Sequence, residues 1–498
     1  MQSFECMAHT DHINMYLSSD FDKSVRPCDD FYHHINGEWK QRNPIPAGYS
    51  HWDMFSIVTM ETQEKIRDII QNICDKSSDD AESIKIRDYW LAAMDANDIE
   101  RLGISPVKKL LDFVDTNDVT TCLAFVMSHK CSSPLIMYDV PDSHNSKLTI
   151  AQLAQSGRGL PDCSYYTDAD KEKIRRAYQS LIADTFTAME TQYNYSNKSH
   201  LPDIAQSVYD LEVKIAKVHM NKIDRKDPYL TYNKMNIQHL QSAIGRIVKD
   251  KKRSIDFSQL LKLFGTNETN IEEINVCDLE AVEKITCLLE TVDTEVLANY
   301  FKWHIMLSFM EFDLPATFSN LYFRFYGTLL NGTPTQNPRH KLAVHNIEFV
   351  LGDAIGKKFV MAHFPEKSKL SVLAIVHGVK NALIYRLTKL EWMSQDTKKY
   401  ALKKLENINI KIGYPDKYIN YTILKIAPGK HFENQLYSNS FMFRNMLGKI
   451  NCSTDQNRWY MTPQTINAYY NPSLNEIVFP AALLAPPFSP QWRPCHEL

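Results

Sequence analysis

Apolar residues recur every three or four positions through most of this chain, which is the period of an α-helix and not of a strand. The pattern is clear over 62–76, 80–100 and 168–193. Ser105 followed by Pro106 predicts a further helix start, because a hydroxyl can cap the helix and proline fits its first turn. More helices are predicted at 202–220, 236–249, 293–312, 366–391 and 395–409.

Glycine is scarce, at 15 of 498 residues, or about 3% against a usual value near 7%. Few tight turns or glycine-rich phosphate loops can form. Strand patterns are confined to 134–140, which predicts an edge strand, and to 465–484, which predicts two strands around a turn at 471–473. We therefore predict a mainly α fold whose pattern changes near the C-terminal end.

Charge excludes one large class of partner. The chain has 56 Lys and Arg against 59 Asp and Glu, a net charge of -3. No field of one sign is available to attract nucleic acid, so no nucleic-acid partner is predicted.

Membrane and export signals are not visible in the sequence. The first residues, MQSFECMAHTDHINMYL, have neither a basic start nor a continuous apolar stretch, and no window of 18 apolar residues is evident elsewhere. We therefore expect a soluble chain without signal, anchor or membrane span, and its compartment stays open. The ten cysteines form no CxxC pair, which argues against a zinc knuckle, and most thiols are expected to be reduced.

Hydrolytic motifs are also missing. The chain has no HExxH and no GxSxG. Two His-x-x-Glu pairs occur, His345 with Glu348 and His363 with Glu366. About one such pair is expected by chance, and Pro365 interrupts the second. His496 lacks a second histidine four residues on. No catalytic residue and no metal ligand is predicted.

Six segments nevertheless carry a resemblance. They are CDDFYHHINGEWKQRNPIPAGYSHWDMF (28–55), KIRDYWLAAMDANDIERLGISP (85–106), GRGLPDCSYY (157–166), RKDPYLTYNKM (225–235), KIGYPD (411–416) and NAYYNPSLNEIVFPAALLAPPF (467–488). In this order they resemble the neprilysin family of zinc metallopeptidases, which includes endothelin-converting enzyme and bacterial oligopeptidases.

The resemblance implies a helical N-terminal lobe that caps a thermolysin-like catalytic lobe, with a chamber between them that admits short peptides. On this basis residues 1–27 are an N-terminal segment without signal or anchor, and 28–440 are the helical lobe. Residues 441–498 are a linker and the truncated start of the α+β catalytic domain. The implied partners are short peptides.

Three substrate-binding residues are implied by the same resemblance. In the family the Asn and Ala of the NAYY strand hold the peptide main chain, and these are Asn467 and Ala468 here. An edge strand can do this because its unpaired N–H and C=O groups accept an extended peptide. Where neprilysin has an Arg that grips the peptide carboxylate, this chain has His51. Histidine lacks the bidentate fork, so a complete parent enzyme should show a weaker preference for dipeptide release.

Departures from the family bear on activity. Its zinc ligands and general base lie downstream of the PPF segment, and this chain ends ten residues after Phe488. A catalytic zinc needs three protein ligands and an activated water, so we expect no cofactor in this chain, although the full-length family uses zinc. Two bridging cysteines of animal members are Ala93 and Ala343 here, and Cys28 lacks its usual partner. These losses fit a reducing compartment or a lineage without the bridges.

Three interpretations follow. The chain is the peptide-admitting lobe of a neprilysin-like metalloendopeptidase and is inactive alone. It is instead a non-catalytic form that binds peptides or associates with a full-length relative. The third is a truncated product without a stable role, prone to aggregate through its exposed strand edges and the apolar run at 477–488. Relatives are plasma-membrane ectoenzymes, secreted or bacterial cytoplasmic proteins.

Overall fold

Helices make up most of the part of the chain that the computed structural model describes, which is 19–76, 80–195, 201–247, 252–265 and 271–485. They are α1 Phe31–Arg42, α2 Met54–Asp75, α3 Ala81–Met94, α4 Ala96–Leu102, α5 Ser105–Thr116, α6 Val119–Ser128, α7 Ser164–Thr167, α8 Glu172–Tyr193, α9 Leu201–Val218, α10 Ile237–Ile247, α11 Phe257–Leu263, α12 Leu279–Thr291, α13 Thr294–Phe309, α14 Ala316–Tyr322, α15 Arg339–His363, α16 Glu366–Lys389, α17 Gln395–Glu406 and α18 His431–Leu447. The predicted mainly α class is confirmed.

Helix starts follow the capping chemistry of the sequence. The Asp53 carboxylate accepts the Ser56 N–H at 2.7 Å before α2, and the Asp80 carboxylate accepts the Ser83 N–H at 3.1 Å before α3. Such caps satisfy backbone donors that have no partner inside the helix. The predicted cap at Ser105 is wrong in detail, because α5 already includes Ser105 and no side chain caps it, although Pro106 does lie in the first turn.

Two small sheets accompany the helices. The first contains β1 Leu135–Asp142, β2 Asn145–Gln155, β3 Lys234–Asn236 and β4 Glu273–Val276, in the order β1-β2-β4-β3. The second contains β5 Asn409–Gly413, β6 Tyr469–Asn471 and β7 Glu476–Pro480, in the order β5-β7-β6. The edge strand predicted at 134–140 is confirmed as β1, and the strand pair predicted within 465–484 is confirmed as β6 and β7.

The buried apolar residues form two clusters, here called the first core and the second core. The first core joins α5, α6, α8, α9 and α13 and also takes Phe432 and Phe443 from α18. The second core joins α2, α3 and α15 with Ile412 of β5 and with Ala481. Each core thus contains residues from both sides of position 440. The domain boundaries at 28–440 and 441–498 stay a prediction.

Helix α16 qualifies the expectation of no membrane span. By length and composition alone it could cross a membrane, and little of its apolar window is buried. Lys369 and Lys380 interrupt the apolar sequence, which is why a search for continuous apolar residues passes over it. The helix contacts α17 and β5, and its buried residues are Ser368 and Val372.

Candidate functional site

The sheet that contains β6 has two edges, formed by β5 and by β6, and among the described residues each of these strands pairs on one side only. β7 lies in the middle, parallel to β5 and antiparallel to β6, with Tyr469 opposite Val478 and Asn471 opposite Glu476. Neither edge of β7 is therefore available, whereas β6 pairs on one side only. The backbone that follows Asn467 is thus an edge strand, as the resemblance implied.

A buried ion pair between the two neighbouring strands contacts this edge strand through Tyr469. Lys411 on β5 and Glu476 on β7 lie 2.5 Å apart, with side chains 7% and 0% exposed. The Lys411 ammonium also donates to the Arg458 carbonyl at 2.7 Å, and the Tyr469 hydroxyl donates to Glu476 at 3.4 Å. One polar side chain from each of the three strands therefore meets beneath the sheet, and β6 is held in register through Tyr469.

Asn467 and Ala468 stand immediately before β6. Asn467 is exposed, and its Oδ1 accepts the N–H of Ala468 at 2.8 Å. Among the described residues its amide nitrogen makes no hydrogen bond. The side chain therefore offers a donor to a ligand, while its acceptor is already engaged by the backbone.

The loop that leads into this strand is seated on α15. Gly356 leaves space for it, since a Cβ there would lie 2.6 Å from Pro463 Cδ. The Gln464 amide donates to the Gly352 carbonyl at 3.0 Å, and Ala482 N–H donates to the Pro463 carbonyl at 2.9 Å. The sequence did not predict this contact between the 462–464 loop and α15. The signal present was the pair of glycines four residues apart on one helical face.

Glu348 lies on the same helix as these glycines. Burial raises the pKa of its carboxyl from the usual 4.5 to about 7, and a hydrogen bond with Gln464 partly offsets that rise. Burial lowers the pKa of His345, one turn earlier. Glu348 is thus associated with the 462–464 loop through Gln464, and no metal-binding group of three or more His, Cys, Asp or Glu includes the His345–Glu348 pair in the part of the chain described.

The second pair, His363 and Glu366, cannot share a helical face. α15 ends at His363 and α16 begins at Glu366, with the extended Pro365 between them. The described residues contain no cluster suited to a metal ion. The described residues therefore do not supply the ligands of the family's zinc site. His496 and Phe488 lie outside the described residues.

His51 is exposed and precedes the Asp53 cap of α2. Its Nδ1 lies 3.4 Å from the Ser50 hydroxyl oxygen, and the neighbouring Tyr49 and Trp52 rings pack with centroids 4.8 Å apart. These contacts are local. Within the described ranges no hydrogen bond, ion pair or ring contact joins His51 to Asn467 or Ala468, so its role stays a prediction.

The two alanines at the family's cysteine positions are both buried. Ala93 and Ala343 are each 0% exposed in the second core, on α3 and α15, which pack together. Small apolar side chains therefore fill the place that the resemblance assigns to a disulfide. Cys28 is an exposed thiol, whereas Cys495 lies outside the described residues.

Comparison with known proteins agrees with the mainly helical fold. The sequence profile of peptidase family M13 matches residues 27–415. Endothelin-converting enzyme 1 of Bos taurus is 31% identical over an alignment of 494 residues that covers 95% of this chain and 63% of that enzyme. The solved zinc metalloprotease ZMP1 of Mycobacterium tuberculosis, in complex with an inhibitor, superposes with a TM-score of 0.87 and 28% identity. That match covers 95% of this chain and 71% of the other.

The fold is thus that of a mainly helical chain of the kind found in solved zinc metalloproteases. The chain belongs to peptidase family M13, the zinc metallopeptidases that include endothelin-converting enzyme, and the resemblance to the neprilysin family is confirmed. It spans less than two thirds of the length of the endothelin-converting enzyme that it matches.

Proposed function

We propose that this chain is the peptide-binding part of a neprilysin-like zinc metalloendopeptidase that acts on short peptides. The observation that carries the proposal is the edge strand β6, which follows Asn467 and Ala468 and is paired on one side only among the described residues. An extended peptide would add a strand there, each main-chain hydrogen bond contributing about 0.5–1.5 kcal/mol net.

Asn467 would assist through its amide nitrogen, which can donate to a peptide carbonyl while Oδ1 holds the Ala468 N–H. His51 would lie toward the peptide carboxylate, where a single imidazole replaces the two-pronged guanidinium contact of the family. Binding by these groups alone should be weak, because only a few hydrogen bonds support it.

The peptide site can be tested with a labelled peptide. We expect a fluorescein-labelled pentapeptide to bind the chain saturably in a fluorescence polarisation titration. Asn467→Ala should weaken binding about five- to tenfold, the worth of one hydrogen bond. Asn457→Ala is the matched control, since Asn457 is also exposed and its side chain makes no hydrogen bond within the described part of the chain. Equal affinities for all three proteins would contradict the assignment of Asn467.

We further propose that the 498-residue chain alone does not hydrolyse peptides. Its sequence contains no HExxH, and the described residues hold no group of metal ligands. A quenched fluorescent peptide incubated with the chain and added zinc should stay intact. Cleavage that stops when a chelator is added would overturn this proposal.

A second candidate is a non-catalytic form that associates with a full-length relative. The exposed apolar side chains of α16, Leu370, Ile375, Val379 and Leu383, favour it, since a soluble surface seldom presents such a row on one helix. Light scattering of a mixture of the chain with a full-length relative should then detect a complex. A mixture that elutes as two separate monomers would exclude this candidate.

A further inference from the structure

A cavity of about 720 Å³ lies between the elements that carry the two cores. One wall is formed by β1 and α18, which contribute Leu135 and Phe443 of the first core. The opposite wall is formed by Asp353 of α15 and by the 417–420 loop, whose Ile419 packs on the second core. Cavities of this volume at such boundaries commonly bind small molecules.

The charged groups of the cavity favour an anion. Its lining includes four basic and three acidic side chains, namely Lys130, Lys417, Lys449, Arg458, Asp139, Asp353 and Asp455. Asp139 is neutralised by Arg458, which pairs with it through both guanidinium nitrogens. Asp353 accepts the Ile419 N–H at 2.7 Å, and burial raises the pKa of its carboxyl. The third acidic group, Asp455, accepts the Asn457 N–H at 2.9 Å, so each of the three carboxylates already has a hydrogen-bond partner.

Two donors in the cavity have no acceptor. Within the described ranges, no hydrogen bond or ion pair engages the Lys449 ammonium, whose pKa is lowered first by burial and then by the charge of Arg458. The Tyr418 hydroxyl likewise makes no hydrogen bond among those residues. Burial raises its pKa to about 12, so that it remains a neutral donor. Both groups line the same cavity as Asp353, and the charge of Asp353 raises the pKa of each.

The rest of the lining is apolar. Leu135, Met137, Phe443, Met446 and Trp459 face the same space. A ligand that satisfies Lys449 and Tyr418 should therefore carry one acidic group on an apolar body. A doubly charged phosphate fits less well, because Asp353 repels added negative charge and the donors can balance about one unit.

We propose that this cavity binds a small organic carboxylate with an apolar body, whose carboxylate accepts hydrogen bonds from the Lys449 ammonium and the Tyr418 hydroxyl. The ligand would touch elements of both cores at once. The cavity lining includes no residue of β6 itself, and the proposal does not depend on peptide binding there.

The test is calorimetric titration of the whole chain with four probes, 4-phenylbutyrate, 4-phenylbutyramide, 4-phenylbutylamine and inorganic phosphate. We expect saturable binding of the carboxylate at one site, with the amide at least about tenfold weaker because it lacks the charge. Equal affinity for the amide, preference for the amine or for phosphate, or no binding of 4-phenylbutyrate up to about 1 mM would each overturn the proposal.

Two variants with opposite expected effects guard against simple misfolding. Lys449→Met should weaken 4-phenylbutyrate about tenfold, whereas Asp353→Asn, which keeps an acceptor for the Ile419 N–H, should tighten it by removing a repelling charge. Lys173→Met, an exposed position on α8, is the matched control and should leave affinity unchanged. If Lys449→Met unfolds, the Asp353→Asn result decides, and unchanged or weaker binding there contradicts the proposal.

Discussion

Glu212 on α9 is a fully buried carboxylate whose partners explain its place. It accepts hydrogen bonds from the hydroxyls of Tyr166 at 2.5 Å and Tyr178 at 2.9 Å, and from Gly159 N–H at 3.3 Å. His304 Nε2 lies 3.0 Å away. The carboxylate thereby holds the GRGLPDCSYY turn against the first core. A buried charge is tolerated only when its lone pairs are satisfied in this way.

Glu212→Gln should destabilise the chain by about 3 kcal/mol, because the amide nitrogen replaces one carboxylate oxygen and cannot accept from the tyrosine hydroxyl that it faces. Urea unfolding followed by circular dichroism measures the loss. Glu280→Gln breaks only an exposed pair with Lys284 and should leave stability nearly unchanged, because solvent screens that pair. Similar losses in the two variants would mean that the Glu212 network contributes little.

Glu348 gives the stability of the chain a pH dependence. Its folded pKa of about 7 lies above the usual 4.5, so the folded state favours the protonated form. Below pH 4.5 the carboxyl is protonated in both the folded and the unfolded state and does not change the free energy of unfolding. As pH rises from 4.5 to about 7, the unfolded state loses its proton first, so stability falls. Glu348→Gln should therefore be more stable than the parent by about 2 kcal/mol at pH 8 and equal to it at pH 4. Urea midpoints at the two pH values measure this, and a constant difference would contradict it.

At the residue scale, the sequence can indicate an interaction between residues that are close in the chain, but not one between residues that are far apart. Asp53 and Asp80 cap helices because their carboxylates reach a backbone N–H three residues ahead, which sequence spacing can indicate. Glu212 and Glu348 show no such signal. Their partners, Tyr166 and Gln464, are 46 and 116 positions away in the chain, and only the packed structure brings them together.

At the scale of elements, the contact between α15 and the 462–464 loop positions the candidate peptide site. Gly356→Ala should displace that loop, because the new methyl group would lie 2.6 Å from Pro463 Cδ. We expect a loss of about 2 kcal/mol in stability and weaker peptide binding at β6. Thermal unfolding and the polarisation titration measure the two effects.

Gly378 on α16 provides the opposite control for that substitution. A Cβ there meets nothing within 4 Å. Gly378→Ala should therefore stabilise the helix by about 0.5 to 1 kcal/mol without affecting peptide binding. If the two glycine variants had the same stability and the same peptide affinity, the contact between α15 and the 462–464 loop would not position the candidate peptide site.

Strands were predicted unevenly for a physical reason. β1, β6 and β7 carry apolar or aromatic residues and a turn signal, so their pattern is readable. β3 is three residues long and β4 is four, and β5 pairs with β7 across more than sixty positions. The residues of β3 and β4 carry little periodicity, and these strands are stabilised by their partners. Length alone does not decide the outcome, because β6 is also three residues long and was predicted, whereas the eleven-residue β2 was not.

At the scale of the whole molecule, a buried polar joint connects the two cores. Arg339 at the start of α15 lies over the Phe312 ring at 4.3 Å and donates to the carbonyls of Ala93 at 2.7 Å and Phe312 at 3.2 Å. Beside it, His431 Nε2 lies 2.8 Å from Asp313. Phe312 belongs to the second core, and Phe432 belongs to the first.

Arg339→Met should lower the stability of the second core. It keeps the packing of the aliphatic stem and removes the donors to the Ala93 and Phe312 carbonyls, and both of these residues belong to that core. We expect a loss of about 2 kcal/mol in urea unfolding, because two carbonyls lose their donor. Arg324→Met, which loses only an exposed pair with Asp184, should change stability much less. Equal losses in the two variants would contradict a structural role for Arg339.

The sequence by itself determined the helical class, the positions of many helices, the edge strand β6 and the membership of family M13, because periodicity, capping and motifs are local. Only the tertiary structure decided that Ile66 and Ala481 share a core and that Gly356 holds Pro463. It also decided that Lys411 meets Glu476 and that a cavity lies around Lys449. These contacts join residues far apart in the chain, and hydrophobic burial selects them through shape and volume that no local pattern contains.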